Sequence, residues 1–190
     1  ASYWSMFGNR SYGIAGLALG GLAGFVIFKL CKRKDDLMCK KCRSRVGVGI
    51  GVLVVDDATK MFLVGRRKGS HGSHQWALPG GWLERGESFA YCGLRELEEE
   101  TGIKEVDLCK IRVLNIAPSN NIEFGSASVF ITGHVSKAKS PLKVEIMEKE
   151  KCFEWRWISG ADNLAGEKLF APLEYLFTDA REALAAELGN

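Results

Sequence analysis

The chain has 190 residues, 46% hydrophobic and 26% charged, which excludes a disordered chain and leaves room for one domain and an appendage. Its net charge of +3 is unevenly distributed: residues 1–45 carry nine Lys and Arg against two acids, a net of +7, so residues 46–190 carry −4. Binding of nucleic-acid polymers depends on Lys and Arg neutralising phosphates, so we expect no such polymer as a partner of the −4 region. The six cysteines are irregularly spaced, which favours reduced thiols and a cytosolic or matrix-facing compartment.

An uncharged apolar stretch dominates the N-terminal segment, residues 1–30. Residues 11–28 contain no charge, and as a helix they would span about 27 Å, close to the thickness of a bilayer core. We therefore predict a single transmembrane helix over about residues 11–30, with membrane lipid as a partner. A signal peptide or a buried core helix is the alternative, but the following KLCKRKDD does not resemble a cleavage site. Gly16, Gly20 and Gly24 would share one face of the helix, a candidate contact for a partner in a membrane complex.

Residues 31–44 are predicted to be a basic juxtamembrane linker. Because its positive charges follow the apolar stretch directly, the positive-inside rule places the C-terminal domain on the matrix or cytosolic side. The chain begins at Ala1, as if a targeting segment had been removed, so we expect the mitochondrial inner membrane. Cys39 and Cys42 have the spacing of half a zinc site, but with no second pair the favoured interpretation is a linker with unrelated thiols.

From residue 45 onwards the pattern is that of a folded α/β domain. Apolar runs predict strands at VGVGIGVLVVD, MFLVGRR, Cys109–Ala117, Ala127–Val135 and Glu154–Ser159, the last with Trp155 and Trp157 on one face. A helix is predicted from about Ser88 to Thr101, with Gly102 as its C-cap, and a helical apolar stripe begins at Pro172 and continues to the C-terminus. Because strands and helices do not alternate strictly, we expect a mixed sheet with helices on both faces.

The predicted helix carries clustered acids. Glu96, Glu99 and Glu100 lie at positions i, i+3 and i+4, so their carboxylates share one face and repel one another. Oxygen ligands without thiol or imidazole suit Mg²⁺ or Mn²⁺, and such an ion binds phosphate oxygens and activates water. A solvated acidic helix face is the alternative interpretation if the helix is taken alone.

The wider pattern resembles the Nudix box. The segment GWLERGESFAYCGLRELEEETGI, residues 81–103, matches that box at every defined position. The surrounding sequence, about residues 45–177, is similar to the branch of Nudix proteins that cleans nucleotide pools. The resemblance implies a Nudix-type α/β/α sandwich over residues 45–190 that hydrolyses a phosphoanhydride in nucleoside di- or triphosphate-type substrates.

The resemblance also assigns roles by position. It implies Glu96 and Glu100 as principal metal ligands, Glu99 as a third ligand or the base that activates water, and the Gly80 carbonyl as a backbone ligand. It implies that Arg95 and Glu87 form a pair that orients the catalytic loop and helix. Glu150 stands where some members place a distal glutamate near the metal.

The substrate pocket departs from the pattern of the family. Relatives often have His where this chain has Trp82, and a His–Tyr pair where it reads GSASV; Phe170 remains, but Ala171 replaces an aromatic residue. Trp82 and Phe170 are therefore candidate substrate contacts. The pattern does not predict which nucleotide they prefer. Arg66, Arg67 and Lys68 are candidate phosphate contacts. For His71 and His74, in the same loop, solvation is favoured over phosphate binding.

An alternative hypothesis assigns the chain to another class of protein. The domain would be an accessory subunit of a membrane complex, held by the glycine-faced helix, with catalysis secondary or lost. The three clustered acids argue against lost activity, because a purely structural helix gains nothing from them.

Overall fold

The computed structural model describes residues 47–69, 71–118 and 126–189. They belong to the second of two units into which the chain divides, residues 44–190. The predicted transmembrane helix, the basic linker and the Cys39–Cys42 pair lie outside the described residues. Among the residues described, no helix is both long and apolar enough to cross a membrane.

Seven strands form one mixed sheet. In chain order they are β1 (Gly47–Asp56), β2 (Met61–Arg67), β3 (Trp76–Ala77), β4 (Gly80–Trp82), β5 (Leu108–Pro118), β6 (Ser126–Val135) and β7 (Cys152–Ile158). The spatial order is β3-β2-β1-β6-β5, with β4 paired to β1 and β7 paired to β2. The β1–β6 pair is parallel and the other pairs are antiparallel, so the predicted mixed sheet is confirmed.

Three helices cover the two faces of the sheet. They are α1 (Phe89–Thr101), α2 (Ala171–Phe177) and α3 (Arg181–Leu188). On one face α1 packs Cys92 and Leu97 into a buried cluster with alternate residues of β1, β2 and β6. On the other face Leu173 of α2 and Leu184 of α3 pack against Phe62 and Trp76. The α/β/α layering is therefore as expected.

The helical stripe that begins at Pro172 is interrupted, contrary to the expectation of a helix continuing to the C-terminus. After Phe177 the backbone leaves the helix at Thr178, and α3 starts again at Arg181. The Thr178 hydroxyl lies within hydrogen-bonding distance of the Glu174 carbonyl, at 3.1 Å, and of the Asp179 carboxylate, at 2.7 Å. Leu176 and Ala180, four residues apart across the interruption, both enter the core beside Phe130.

A buried polar network fastens α3 to the sheet. The two ring nitrogens of His134 lie 2.7 Å from Asp57 Oδ1 and 2.9 Å from Glu187 Oε2, and the hydroxyl of Thr132 donates to Glu187 Oε2 at 3.1 Å. Arg112 also pairs with Glu187. The side chain of Glu187 is 3% exposed, so its removal would leave buried donors without an acceptor.

We predict that Glu187→Ala lowers the free energy of unfolding by about 2–4 kcal/mol, because it breaks a buried charged network on one side only. Glu182→Ala, on the exposed face of the same helix, is the control and should change stability by less than about 0.5 kcal/mol. Urea denaturation measures both variants. Equal effects of the two substitutions would show that the network contributes no specific stability.

Candidate active site

The acidic helix α1 is placed by its caps and by close contact with the sheet. Ser88 caps its N-terminus by accepting from the Tyr91 amide, and Gly102 ends it with φ +75°. At Gly93 an added Cβ would lie 2.3 Å from Ile131 Cδ1, so a larger residue here would require the Ile131 side chain to move. The predicted helix bounds are confirmed, and the cluster of acids is held against the edge of β4.

The segment from Pro79 to Gly81, which leads into β4, meets α1 through two glycines. The Gly80 amide donates to Glu100 Oε2 at 2.9 Å, and Gly80 has φ +145°, a backbone conformation that favours glycine. At Gly81 an added Cβ would lie within 2.4 Å of the Glu96 carboxylate. At Gly80 an added Cβ would lie 2.0 Å from the Ile50 carbonyl oxygen of β1, and the absence of a side chain at Gly81 leaves room for the present position of the Glu96 carboxylate.

Arg95 links the acids to the loop that precedes the helix. Its Nε and Nη2 donate to the two oxygens of Glu87 at 2.8 and 3.1 Å, and Nη1 lies 2.7 Å from Glu96 Oε1. Hydrogen bonds from Arg95 lower the pKa of Glu87 to about 2. The ion pair between Arg95 and Glu87 thus lies where an orienting pair is expected. Glu99, 52% exposed, is the outermost of the acids, with Oε2 3.5 Å from Arg95 Nη1.

Glu100 is the carboxyl group of the site whose pKa is raised. Burial, the largest cause, and the neighbouring charges of Glu96 and Glu148 together raise its pKa to about 7, against the opposing effects of the Gly80 amide and Lys151. A carboxyl group that is buried among like charges is stabilised either by a proton or by a cation.

Glu148 is the acid that sequence reasoning missed. Its Oε2 is buried without a hydrogen-bond partner, and its other oxygen pairs with Lys151 Nζ at 2.8 Å. Glu150, the predicted distal ligand, is exposed. The segment is positioned by hydrogen bonds from the Glu145 and Met147 amides to the last carbonyls of α1, at 3.0 and 3.1 Å. These two hydrogen bonds fix the segment so that Glu148, rather than Glu150, lies beside Glu100. In the sequence, the alternation of Val144, Ile146 and Glu148 is the pattern that indicates this arrangement.

The chemistry of the site fits a hard divalent cation. Within the described part of the chain, no three His, Cys, Asp or Glu side chains are gathered as a ready-made metal site, since Glu96 is paired with Arg95 and Glu100 with Gly80. The carboxylates of Glu96, Glu100 and Glu148 nevertheless interact electrostatically, and one Glu148 oxygen has no partner. A set of oxygen ligands without thiol or imidazole suits Mg²⁺ or Mn²⁺.

The predicted substrate contacts fall into two groups. Arg67 and Phe170 are brought together: the guanidinium lies 4.4 Å from the ring centroid, burial lowers the pKa of Arg67, and the charge of Glu100 opposes that shift. The other three are separate. Arg66 pairs with Glu154 at 3.8 Å, Lys68 donates to the Lys149 carbonyl at 3.0 Å, and Trp82, 61% exposed, lies over Gly47.

The two loop histidines are exposed, and each packs against a phenylalanine ring. His71 meets Phe170 edge-on at 5.6 Å between centroids, and His74 stacks on Phe153 at 4.8 Å. Their loop follows Arg67, the last residue of β2, and Arg67 Nε donates to the His71 carbonyl at 3.2 Å. Trp76, which follows the loop, is fully buried in the core.

A family model described as NUDIX domain matches residues 45–177, more than half of the chain. The chain belongs to the Nudix family. Among its relatives, an RNA pyrophosphohydrolase of Pelagibacter ubique is 37% identical over 62 residues, 33% of this chain and 38% of that protein. The m7GpppN-mRNA hydrolase NUDT17 of Xenopus laevis is 43% identical over 80 residues, 41% of this chain and 27% of that protein. The chain thus spans well under two thirds of the length of these relatives.

Solved Nudix structures share the fold. The MutT protein from Methanosarcina mazei Go1 superposes with a TM-score of 0.58 at 24% identity, covering 75% of this chain and 94% of that one. The NUDIX domain of Shewanella oneidensis NrtR, solved with ADP ribose, gives 0.60 at 21% identity, covering 81% and 97%. The predicted Nudix hydrolase is therefore confirmed at the level of family and fold, and the roles of the individual site residues stay predictions.

Without added metal, we predict that Glu100→Gln stabilises the domain at pH 8 by up to about 3 kcal/mol and much less at pH 5. The pKa of Glu100 is raised in the folded state, so ionisation destabilises the fold increasingly as pH rises from the unfolded value through about 7. Urea denaturation in EDTA at the two pH values measures the difference. An advantage of Glu100→Gln that is the same at both pH values would contradict the raised pKa.

Proposed function

We propose that the domain is a metal-dependent hydrolase that cuts a phosphoanhydride in a nucleoside di- or triphosphate-type substrate. The observation that carries the proposal is the buried Glu100 carboxyl beside Glu96 and Glu148, against a glycine turn. Such a cluster of acids is costly to the fold unless it holds a cation. The family membership supports the same activity, and the relatives named above include a pyrophosphohydrolase and a cap hydrolase.

Each residue of the site has a separate role in the proposed hydrolysis. Glu96, Glu100 and Glu148 would hold Mg²⁺ or Mn²⁺, which neutralises charge on phosphoryl oxygens and acidifies water when bound. Glu99, exposed beside them, accepts the proton of the attacking water. Arg95 and Glu87 keep the loop and helix in register, and Arg67, beside Phe170, binds phosphate oxygens. The products are a nucleotide with fewer phosphates and phosphate, pyrophosphate or a second phosphorylated group.

Small nucleotides are the substrate class that we propose. The charge of −4 over residues 46–190 disfavours a long polyanion, and one solved relative carries ADP ribose. A panel of nucleoside triphosphates, nucleoside diphosphates, ADP ribose and triphosphorylated RNA tests this. Turnover of RNA alone would exclude the small-nucleotide assignment.

We predict that Glu99→Gln and Glu100→Gln each lower kcat at least a hundredfold, because they remove carboxylates that bind the ion or accept the proton. Glu98→Gln is the matched control: Glu98 is exposed on the same helix, with Lys104 3.8 Å away, and its loss should leave kcat within about twofold. Phosphate release with Mg²⁺ or Mn²⁺ measures turnover, and circular dichroism verifies folding. Turnover near that of the wild type in both site variants would exclude the mechanism.

We further propose that residues 11–30 anchor the domain in a membrane, with lipid as a partner and the domain on the matrix or cytosolic side of the mitochondrial inner membrane. The support is the uncharged stretch, the basic residues after it and the glycines at positions 16, 20 and 24, where a membrane-complex partner would bind.

The full-length chain should remain in the pellet on carbonate extraction, because an apolar spanning helix resists release at high pH. A variant lacking residues 1–30 is the control and should be released. Protease treatment of intact mitochondria and then of mitoplasts tests the side. Release of the full chain would contradict the anchor, and digestion in intact organelles would exclude the matrix.

A further inference from the structure

A lysine side chain lies within the cluster of acids. The Lys151 ammonium is 2.8 Å from Glu148 Oε1, and its charge also acts on Glu96 and Glu100. The other oxygen of Glu148 is buried and has no hydrogen-bond partner in the described part of the chain. The glutamate beside Glu100 is therefore paired through one oxygen, with a positive charge that the protein itself supplies.

The backbone of Lys151 is fixed beside the cluster. Its amide donates to the Glu148 carbonyl at 3.0 Å, and the Cys152 amide donates to the same carbonyl at 3.1 Å, which closes a turn. The Lys151 carbonyl accepts from the Lys68 amide at 2.7 Å, which joins this turn to the residue that follows β2. The ammonium consequently reaches Glu148 from a defined starting point, through a flexible stem of four carbons.

Lys151 differs from the neighbouring arginines in what holds its charge in place. Arg95 donates two hydrogen bonds to Glu87, which is outside the three clustered carboxylates. Arg67 donates to the His71 carbonyl at 3.2 Å. The Lys151 ammonium is paired with a carboxylate of the cluster itself, and its side chain is 54% exposed. Partly exposed pairs of this kind contribute little free energy, so the pair between Lys151 and Glu148 can open at little cost.

The position of Lys151 places it in competition with a divalent cation. A cation held by Glu96, Glu100 and Glu148 would lie close to the Lys151 ammonium, and like charges at short range repel each other. Sites for Mg²⁺ are usually completed by phosphate oxygens of the substrate. An ammonium that has left Glu148 would therefore have phosphate oxygens beside it, which are strong acceptors for a charged donor.

We propose that Lys151 exchanges partners as the site is loaded. It pairs with Glu148 in the protein without metal, leaves that carboxylate when Glu148 takes up the divalent cation, and then binds phosphate oxygens of the substrate. The inference rests on the proposed function, because it requires the cation site and a phosphorylated substrate. It assigns phosphate binding to a residue outside the Nudix box.

The test measures two binding equilibria of the full-length chain in detergent, without turnover. Affinity for Mn²⁺ alone is measured by electron paramagnetic resonance, and affinity for inorganic pyrophosphate in saturating Mn²⁺ by calorimetry. Lys151→Met removes the charge and keeps a long side chain, whereas Lys151→Arg keeps the charge. Lys149→Met is the matched control, because Lys149 is an exposed lysine two residues away in the same segment.

Lys151→Met should bind Mn²⁺ at least about fivefold more tightly, because the competing charge is gone, and pyrophosphate at least about fivefold more weakly, because the phosphate contact is gone. Lys151→Arg and Lys149→Met should stay within about twofold of the wild type in both measurements. A misfolded variant would lose both affinities, so changes in opposite directions identify the exchange.

Unchanged or weaker Mn²⁺ binding in Lys151→Met would overturn the exchange, and so would unchanged pyrophosphate binding. A wild-type chain that binds no Mn²⁺ would contradict the proposed function and this inference together. A chain that shows the two opposite changes but hydrolyses no nucleotide would contradict the proposed hydrolysis and leave the exchange standing.

Discussion

The constraint on which the site depends is the burial of one carboxyl group, that of Glu100, beside two other carboxylates. Glu100 accepts a hydrogen bond from the Gly80 amide, and burial, with smaller effects from the charges of Glu96 and Glu148, raises its pKa to about 7. Isolated, this arrangement costs stability, since two ionised carboxylates at close range repel each other. Arg95 and Lys151 each pair with one of the neighbouring carboxylates, and a divalent cation bound among all three would favour the charged form of Glu100 as well.

The rest of the fold supplies the geometry that this cluster requires. Glycine at position 80 lets the start of β4 lie against β1, and glycine at position 81 leaves room for the Glu96 carboxylate. Glycine at position 93 leaves room for the Ile131 side chain between α1 and the sheet. The Arg95–Glu87 pair ties the loop to the helix with two hydrogen bonds. On the opposite face, the network around Glu187 and the apolar residues of α2 and α3 hold the sheet from behind. Rigid elements thus keep the carboxylates together despite their repulsion.

Helices and strands that depend on local interactions were predicted well from the sequence. Features that depend on contacts between distant parts of the chain were not. Ser88 and Gly102 bounded α1 because capping is a local interaction, and the five longer strands followed from their apolar runs. The short strands β3 and β4 were not predicted, because they carry no apolar run of their own. The interruption after Phe177 was missed because the apolar spacing continues across it. Glu148 was passed over for Glu150 because the choice depends on amide bonds from residues 145 and 147 to the end of α1, which join distant parts of the chain.

The central claim is that the raised pKa of Glu100 reflects a site built for a divalent cation. Titration of the side-chain carboxyl of Glu100 by ¹³C NMR, with Glu100→Gln for assignment, tests it most directly. We expect a midpoint near 7 in EDTA, and a midpoint lowered by at least two units in saturating Mg²⁺. A midpoint near 4.5 in EDTA, or one that Mg²⁺ leaves unchanged, would contradict the account.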